Sequence, residues 1–153
     1  MFVLDVVREL EQQAVPYALV GGFAVSLHGA VRATLDVDLV LPFEESYFVQ
    51  AEQAFTALGL RCRVPVTARE IARHHREYTR DRHMISWSFW SPADPLRLVD
   101  VVLTHDLREF RRTTFELQGV TVQVLALDDL IRMKRGSPRE ADLRDAEALE
   151  KLG

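Results

Sequence analysis

The stretch "LVGGFAVSLHGAVRATLDVDLVL", residues 19–41, sets a glycine pair a short helix ahead of two aspartates in an otherwise apolar strand. Alternation through "TLDVDLVL" (34–41) sends Asp36, Asp38 and Val40 to one face and Leu35, Val37, Leu39 and Leu41 to the other. The two carboxylates then share a face with Cα atoms about 6.6 Å apart by strand rise. Upstream, "YALV" (17–20) reads as a short buried strand, Gly21-Gly22 as the turn out of it, and 23–29 as a helix closed by Gly29. Valine or leucine would pack better where the aspartates stand, so their presence asks for a chemical reason.

Hard divalent cations such as Mg2+ or Mn2+ take oxygen ligands and keep positions open for substrate phosphates. Carboxylates at i and i+2 can share or bridge such ions. Without a cation, their mutual repulsion would push one pKa upward. Asp100 interrupts the apolar run "LRLVDVVL" (96–103) in the same way. If that strand neighbours 34–41, Asp100 joins the cluster, as a further metal ligand or as the acceptor of a proton from an attacking hydroxyl. The strand–Gly-Gly–helix junction would expose backbone N–H groups where phosphate is favoured, and glycine lets the backbone approach a ligand closely.

The rest of the chain is consistent with an α/β (α+β) fold, a mixed β-sheet flanked by helices, in one domain spanning 1–153. Residues 2–14 place Val3, Val6, Val7, Leu10 and Ala14 at helical spacing, and Pro16 ends that helix. A second helix is expected over 44–58 and another over 67–78. "HMISWSFW" (83–90) and "LRLVDVVL" read as strands joined by "SPADP", and 114–125 as a hairpin about Gln118-Gly119. Two helices close the chain, the first capped by Asp128 and the second begun at Ser137-Pro138. Of the 153 residues, 48% are hydrophobic and 27% charged, with a net charge of −4, which argues against generic binding to a polyanion. A lone cysteine, Cys62, excludes an intrachain disulfide and a cysteine-rich metal site. Charges in "MFVLDVVRELEQQ" break any signal-peptide core, and no apolar run approaches the ~20 residues that span a bilayer. The expected compartment is the cytoplasm, with no membrane partner.

Val20-Gly21-Gly22, Asp36-x-Asp38 and Asp100 together resemble the nucleotidyltransferase superfamily that includes DNA polymerase β. His28-Gly29 and Arg32-x-Thr34-x-Asp36-x-Asp38 are similar to its abortive-infection toxin branch, as is the ending with Lys134, Arg139, Asp142 and Asp145. The resemblance covers 17–41, 96–103 and 125–149. It implies the nucleotidyltransferase fold and an enzyme that moves a nucleoside monophosphate from a nucleoside triphosphate to an acceptor hydroxyl, releasing pyrophosphate. By it, Asp36, Asp38 and Asp100 are the catalytic and metal-binding residues. Gly21, Gly22, Arg32, Thr34 and Lys134 bind the nucleotide. A toxin-type role implies an RNA acceptor, such as a tRNA end, and a cognate antitoxin or other partner protein. Two departures stand out: Phe23 follows the glycines where many members carry Ser or Thr, and Ala141 stands where members carry Lys.

Segment 61–83 holds seven arginines against three acidic residues, with Arg69, Arg73, Arg76 and Arg80 at helical spacing. It reads either as a phosphate-tracking face or as a solvated helix paired with acidic neighbours. His74 and His75 point different ways on a helix and, with His83, do not read as a metal site; His28 reads as a capping or packing residue. Trp87 and Trp90 are candidates for stacking a base, with Trp87 and Phe89 expected on opposite faces. Asp142 and Asp145 either orient Lys134 or Arg139 or form a surface network. Two competing functions keep parts of this pattern. One is an antibiotic nucleotidyltransferase of the lincosamide or aminoglycoside type, and the other a non-catalytic nucleotide-binding antitoxin or regulator.

Overall fold

The computed structural model describes residues 1–152. Its strands are β1 (Ala18–Val20), β2 (Val37–Val40), β3 (Arg61–Cys62), β4 (Ser86–Trp90), β5 (Leu98–Val102), β6 (Arg112–Leu117) and β7 (Val120–Leu125). The helices are α1 (Phe2–Gln12), α2 (Gly21–Leu27), α3 (Glu45–Ala57), α4 (Ala68–Asp81), α5 (Leu127–Arg135) and α6 (Glu140–Glu150). The seven strands form one sheet in the order β3-β4-β5-β2-β1-β7-β6. β2–β5 and β1–β7 are parallel and the other pairs antiparallel, so the sheet is mixed, as expected.

One face of the sheet is apolar. Val37, Leu39, Trp87, Phe89, Val99 and Val101 are buried there, and α3 lies against it. Phe48 stacks on Trp87 at 5.5 Å and Phe55 meets Phe89 at 4.8 Å. Each such side chain contributes roughly 1.5–3 kcal/mol by leaving water. Trp87 and Phe89 therefore share a face, contrary to the expectation; residues two apart in a pleated strand must do so. α1 buries Val3, Leu4, Val6, Val7 and Leu10 and packs on α3 and β7.

Several boundaries differ from the sequence reading. β2 begins at Val37, so Thr34, Leu35 and Asp36 form the loop leading into it, and Leu35 is 63% exposed instead of inward. The glycines are the first residues of α2 and not a turn ahead of it. Asp128 caps nothing: Ala126 is the N-cap of α5 and no side-chain bond closes that end. Asp129 is buried instead, accepting from the Arg111 backbone N–H at 2.7 Å. α4 begins with Thr67 and Glu70 in reciprocal bonds, each 3.2 Å, and runs to Asp81. It bends at His74, whose φ −123 and ψ 22 are non-helical, so the arginines before and after it do not form one straight face. The hairpin turn is where the sequence places it, with Gln118 (φ 49) and Gly119 (φ 79) both left-handed, the geometry of a tight two-residue turn.

Candidate active site

Strand pairing assembles the aspartates. Asp38 stands opposite Asp100 across β2–β5, and Val20, next to the glycines, opposite Asp38 across β1–β2. Residues paired this way share a face. Asp38 and Asp100 open into a cleft of about 410 Å³, with Val20 and Gly21 at its floor and Ile85, Ser86, Val102 and Thr104 along the sheet side. Met133, Lys134, Ser137, Pro138 and Arg139 form the opposite wall.

The electrostatics mark this as a place where negative charge is concentrated. Burial, then the charges of Asp100 and Asp36, push Asp38 up to about 7. Burial also raises Asp100, against a hydrogen bond donated to its Oδ1 by the Ser88 hydroxyl. Ser88 is itself within 3.4 Å of the Ser86 hydroxyl. Asp36, half-buried in the loop, is near enough to act on both carboxylates.

On the far wall, Lys134 Nζ donates to Asp142 Oδ1 at 2.9 Å and Asp145 Oδ2 at 3.0 Å. Arg139 holds Asp142 through Nε at 3.0 Å and an NH2 bond at 3.1 Å, and the Ser137 hydroxyl donates to Asp142 at 2.6 Å. Burial alone would raise Asp142, but the Arg139, Ser137 and Lys134 bonds outweigh it and hold this carboxyl well below the ordinary range. Both cations act on Asp38 across the cleft. Asp142 and Asp145 are thus orienting partners of Lys134 and Arg139, the first of the two alternatives for them.

The glycines are fixed by close approach. A β-carbon on Gly21, at φ +67, would lie 2.0 Å from Asp38 Oδ2; one on Gly22 would lie 2.6 Å from the Thr34 β-carbon. Gly21 lines the cleft, whereas Gly22 is buried behind it against Thr34. The Thr34 hydroxyl reaches the Asp36 carbonyl at 3.4 Å. Arg32 pairs with Asp145 at 3.1 Å and so belongs to the network behind Lys134, away from the cleft lining. His28 packs: its Nε2 is 2.8 Å from the Leu125 carbonyl and its ring meets Phe115 edge-on.

These features coincide with a recurrent architecture. The chain aligns over 99% of its length with an antigenic nucleotidyltransferase-like protein from Paracoccidioides brasiliensis, at TM-score 0.57 and 22% identity, covering 74% of that chain. A lincomycin-bound lincosamide antibiotic adenylyltransferase aligns over 99% of this chain and 96% of its own, at TM-score 0.64 and 11% identity. The chain has the nucleotidyltransferase fold. ANT(2")-Ia in complex with adenylyl-2"-tobramycin is a third such structure, at TM-score 0.60 and 14% identity, covering 99% of this chain and 87% of that one. No protein-family model matches the sequence, and no curated protein does.

In this nucleotidyltransferase fold the donor set suits a divalent, oxygen-liganded cation. Asp38 and Asp100 are adjacent and half-buried, and Asp38 keeps its charge at neutral pH only partly, which a bound cation would relieve. Among the described residues no three His, Cys, Asp or Glu side chains already converge on one point. Ser88, Thr104 and His105 stand at the site without a motif that marks them in the sequence. Ser86 and Ser88 alternate with Trp87 and Phe89, a polar-face signal that could have found Ser88. His105, lowered by burial and 2.9 Å from the Thr104 hydroxyl, lies in a loop where no periodicity points to it.

Proposed function

We propose that the cleft transfers a nucleoside monophosphate from a nucleoside triphosphate to an acceptor hydroxyl. The observation carrying this reading is the Asp38–Asp100 pair, half-buried register neighbours in a cleft faced by Lys134 and Arg139. Phosphoryl transfer asks chiefly for positioning and for neutralisation of charge on the phosphates, and this wall-to-wall arrangement of carboxylates and cations supports both. Asp38 and Asp100 would hold Mg2+ or Mn2+, with Asp36 a further ligand once the loop before β2 brings it in, and the ion when bound would supply Lewis-acid neutralisation of the triphosphate.

The chain's own residues divide the remaining work. Lys134 and Arg139, held rigid by Asp142 and Asp145, receive the phosphate oxygens, and the backbone at Gly21 approaches them closely. The acceptor oxygen forms a bond to the α-phosphorus as the bond from that phosphorus to the β-phosphate's bridging oxygen breaks, and pyrophosphate leaves. The hydroxyl proton passes to a carboxylate oxygen of Asp100, whose ionised form the Ser88 hydroxyl favours. Gly22 and Thr34 act behind the site as a packed pair that fixes the loop carrying Asp36.

The acceptor we favour is RNA, on the strength of the arginine-rich segment 61–83. A toxin role with a cognate antitoxin goes with it. An antibiotic hydroxyl is the second reading, since two of the fold neighbours carry an antibiotic or its adenylylated form. The test is incubation with Mg2+, each α-labelled triphosphate, and either total tRNA or lincomycin and tobramycin. Label is expected on RNA, lost in Asp38→Asn and Asp100→Asn. Label only on an antibiotic would establish the second reading, and no transfer under any pairing would remove both.

A further inference from the structure

The cleft-side face of the sheet continues beyond Asp100 to the β3 edge. Ser88 is the register partner of Asp100, and the Arg63 backbone N–H donates to the Ser88 carbonyl at 2.9 Å, continuing the β3–β4 pairing. Arg63, Ser88, Asp100 and Asp38 therefore form one row across neighbouring chains of the sheet. The next row is Arg61, Trp90 and Leu98. Register partners share a face, so both arginines and Trp90 stand on the side that carries the carboxylates. Strand spacing puts Arg63 about 10 Å from Asp100, and Trp90 about 8 Å from it.

This part of the face is open. Trp90 is 38% exposed, while Trp87 and Phe89 on the opposite face are buried. Arg61 and Arg63 are exposed, and among the described residues neither has a carboxylate partner, whereas Arg73 pairs with Glu45 and Arg80 with Asp81. Arg63 lies within electrostatic reach of Asp100, where its charge acts to lower the carboxyl's pKa. The bend of α4 at His74 and the pairing of two of its arginines leave the helix a poorer track.

We infer that this shelf seats the acceptor as a single-stranded RNA end, Trp90 stacking one base and Arg61 and Arg63 holding backbone phosphates on the way to Asp100. The inference rests on the nucleotidyl-transfer reading and narrows it. Aromatic faces stack any base, and arginines beside them follow the backbone, the combination that single strands require. Two unpaired guanidinium groups would repel a polycationic acceptor from the same path. The basic segment thus contributes through its first residues, at the sheet edge, and not through the helix.

The experiment uses the full chain and a short single-stranded RNA with a free 3′ hydroxyl and a 5′ fluorescein, read by anisotropy across a salt series in Mg2+. The double variant Arg61→Ala/Arg63→Ala is expected to weaken RNA binding about tenfold or more and to lower the salt slope by about 1.4, two phosphate contacts' worth. Trp90→Ala is expected to weaken it about fivefold or more with the slope unchanged, and Trp90→Phe to recover most of the loss. Arg69→Ala/Arg76→Ala should change neither quantity, and all of these variants should bind ATP as the wild type does. Wild-type RNA binding in the shelf variants, or loss confined to the α4 variant, overturns the shelf. If the wild type binds no RNA yet transfers label to a small acceptor, the shelf falls while the transfer reading stands. Shelf-dependent RNA binding without label transfer from any triphosphate does the reverse.

Discussion

Gly21 is fixed by two constraints at once: a φ of +67 and a carboxylate oxygen 2.0 Å from where a β-carbon would sit. Gly21→Ala must therefore push Asp38 out of line as well as strain the backbone. It is expected to lose at least about 1–2 kcal/mol of stability, by urea unfolding, and nearly all transferase activity. Gly119→Ala is the control, with a comparable φ of +79 and nothing within 4 Å; it should cost stability only. Asp38 carries its own signature. It ionises near 3.8 in the unfolded chain and at about 7 when folded, chiefly through burial and then through Asp100 and Asp36. Folded stability from this group is full below pH ~4, is lost as pH rises towards 7, and is flat above, a difference of up to about 4 kcal/mol. Asp38→Asn removes the charge and keeps the shape. In EDTA at about pH 8 it should melt on the order of 10 °C higher than the wild type by calorimetry, with the slope between pH 4 and 7 reduced. A wild-type pH profile in that variant would mean Asp38 is not the strained group.

At the level of elements, α5 and α6 pack together, each burying apolar residues (Leu130; Ala146 and Leu149), and their charged residues meet between them. Lys134 is buried between Asp142 and Asp145, three residues apart on one face of α6, and Arg32 reaches Asp145 from the loop after α2. Burying three charges is tolerable only because each is partnered. Asp145→Ala leaves Lys134 with one carboxylate and frees Arg32. The expected loss is about 3 kcal/mol in urea unfolding, with a higher KM for the triphosphate as Lys134 loses its fixed geometry. Asp145→Asn should recover part of the stability, since an amide oxygen still accepts a hydrogen bond. The helical spacing of these residues was readable in the sequence; that they were buried was not, because a run such as "READLRDAEALE" looks the same on a solvated face. Asp38 and Asp100 were legible through combination: either alone reads as the wet face of a half-exposed strand, but together, after a glycine pair, they point to one site, while Asp36 falls in the loop before β2. β3 is two residues long and the bend in α4 falls on an ordinary histidine, so neither leaves a periodic trace.

Across the whole molecule, the face of each strand was encoded locally but its neighbour was not. β1 pairs antiparallel with β2, and Leu19 pairs in parallel with Val124, a contact no short-range pattern announces. The shared register of Asp38 and Asp100 rests on β5 inserting beside β2, with β3 and β4 following to the edge. The site is accordingly built from the β1–α2 junction, β2, β5, α5 and the loop into α6, residues separated by most of the chain. None of it can survive local unfolding of the sheet centre, so ligands should stabilise the global fold. At a hundred times its dissociation constant, ATP with Mg2+ contributes about 2.7 kcal/mol, or about 5–10 °C in melting temperature for a chain of this size. The expectation is a single unfolding transition that moves up by that amount with ATP and Mg2+ together. In Asp38→Asn the shift should largely vanish, while the RNA-shelf variant Trp90→Ala should keep it in full. A main transition that ignores the nucleotide, with only a minor early phase responding, would show that the ligand binds a peripheral unit and not the cleft between sheet and helices.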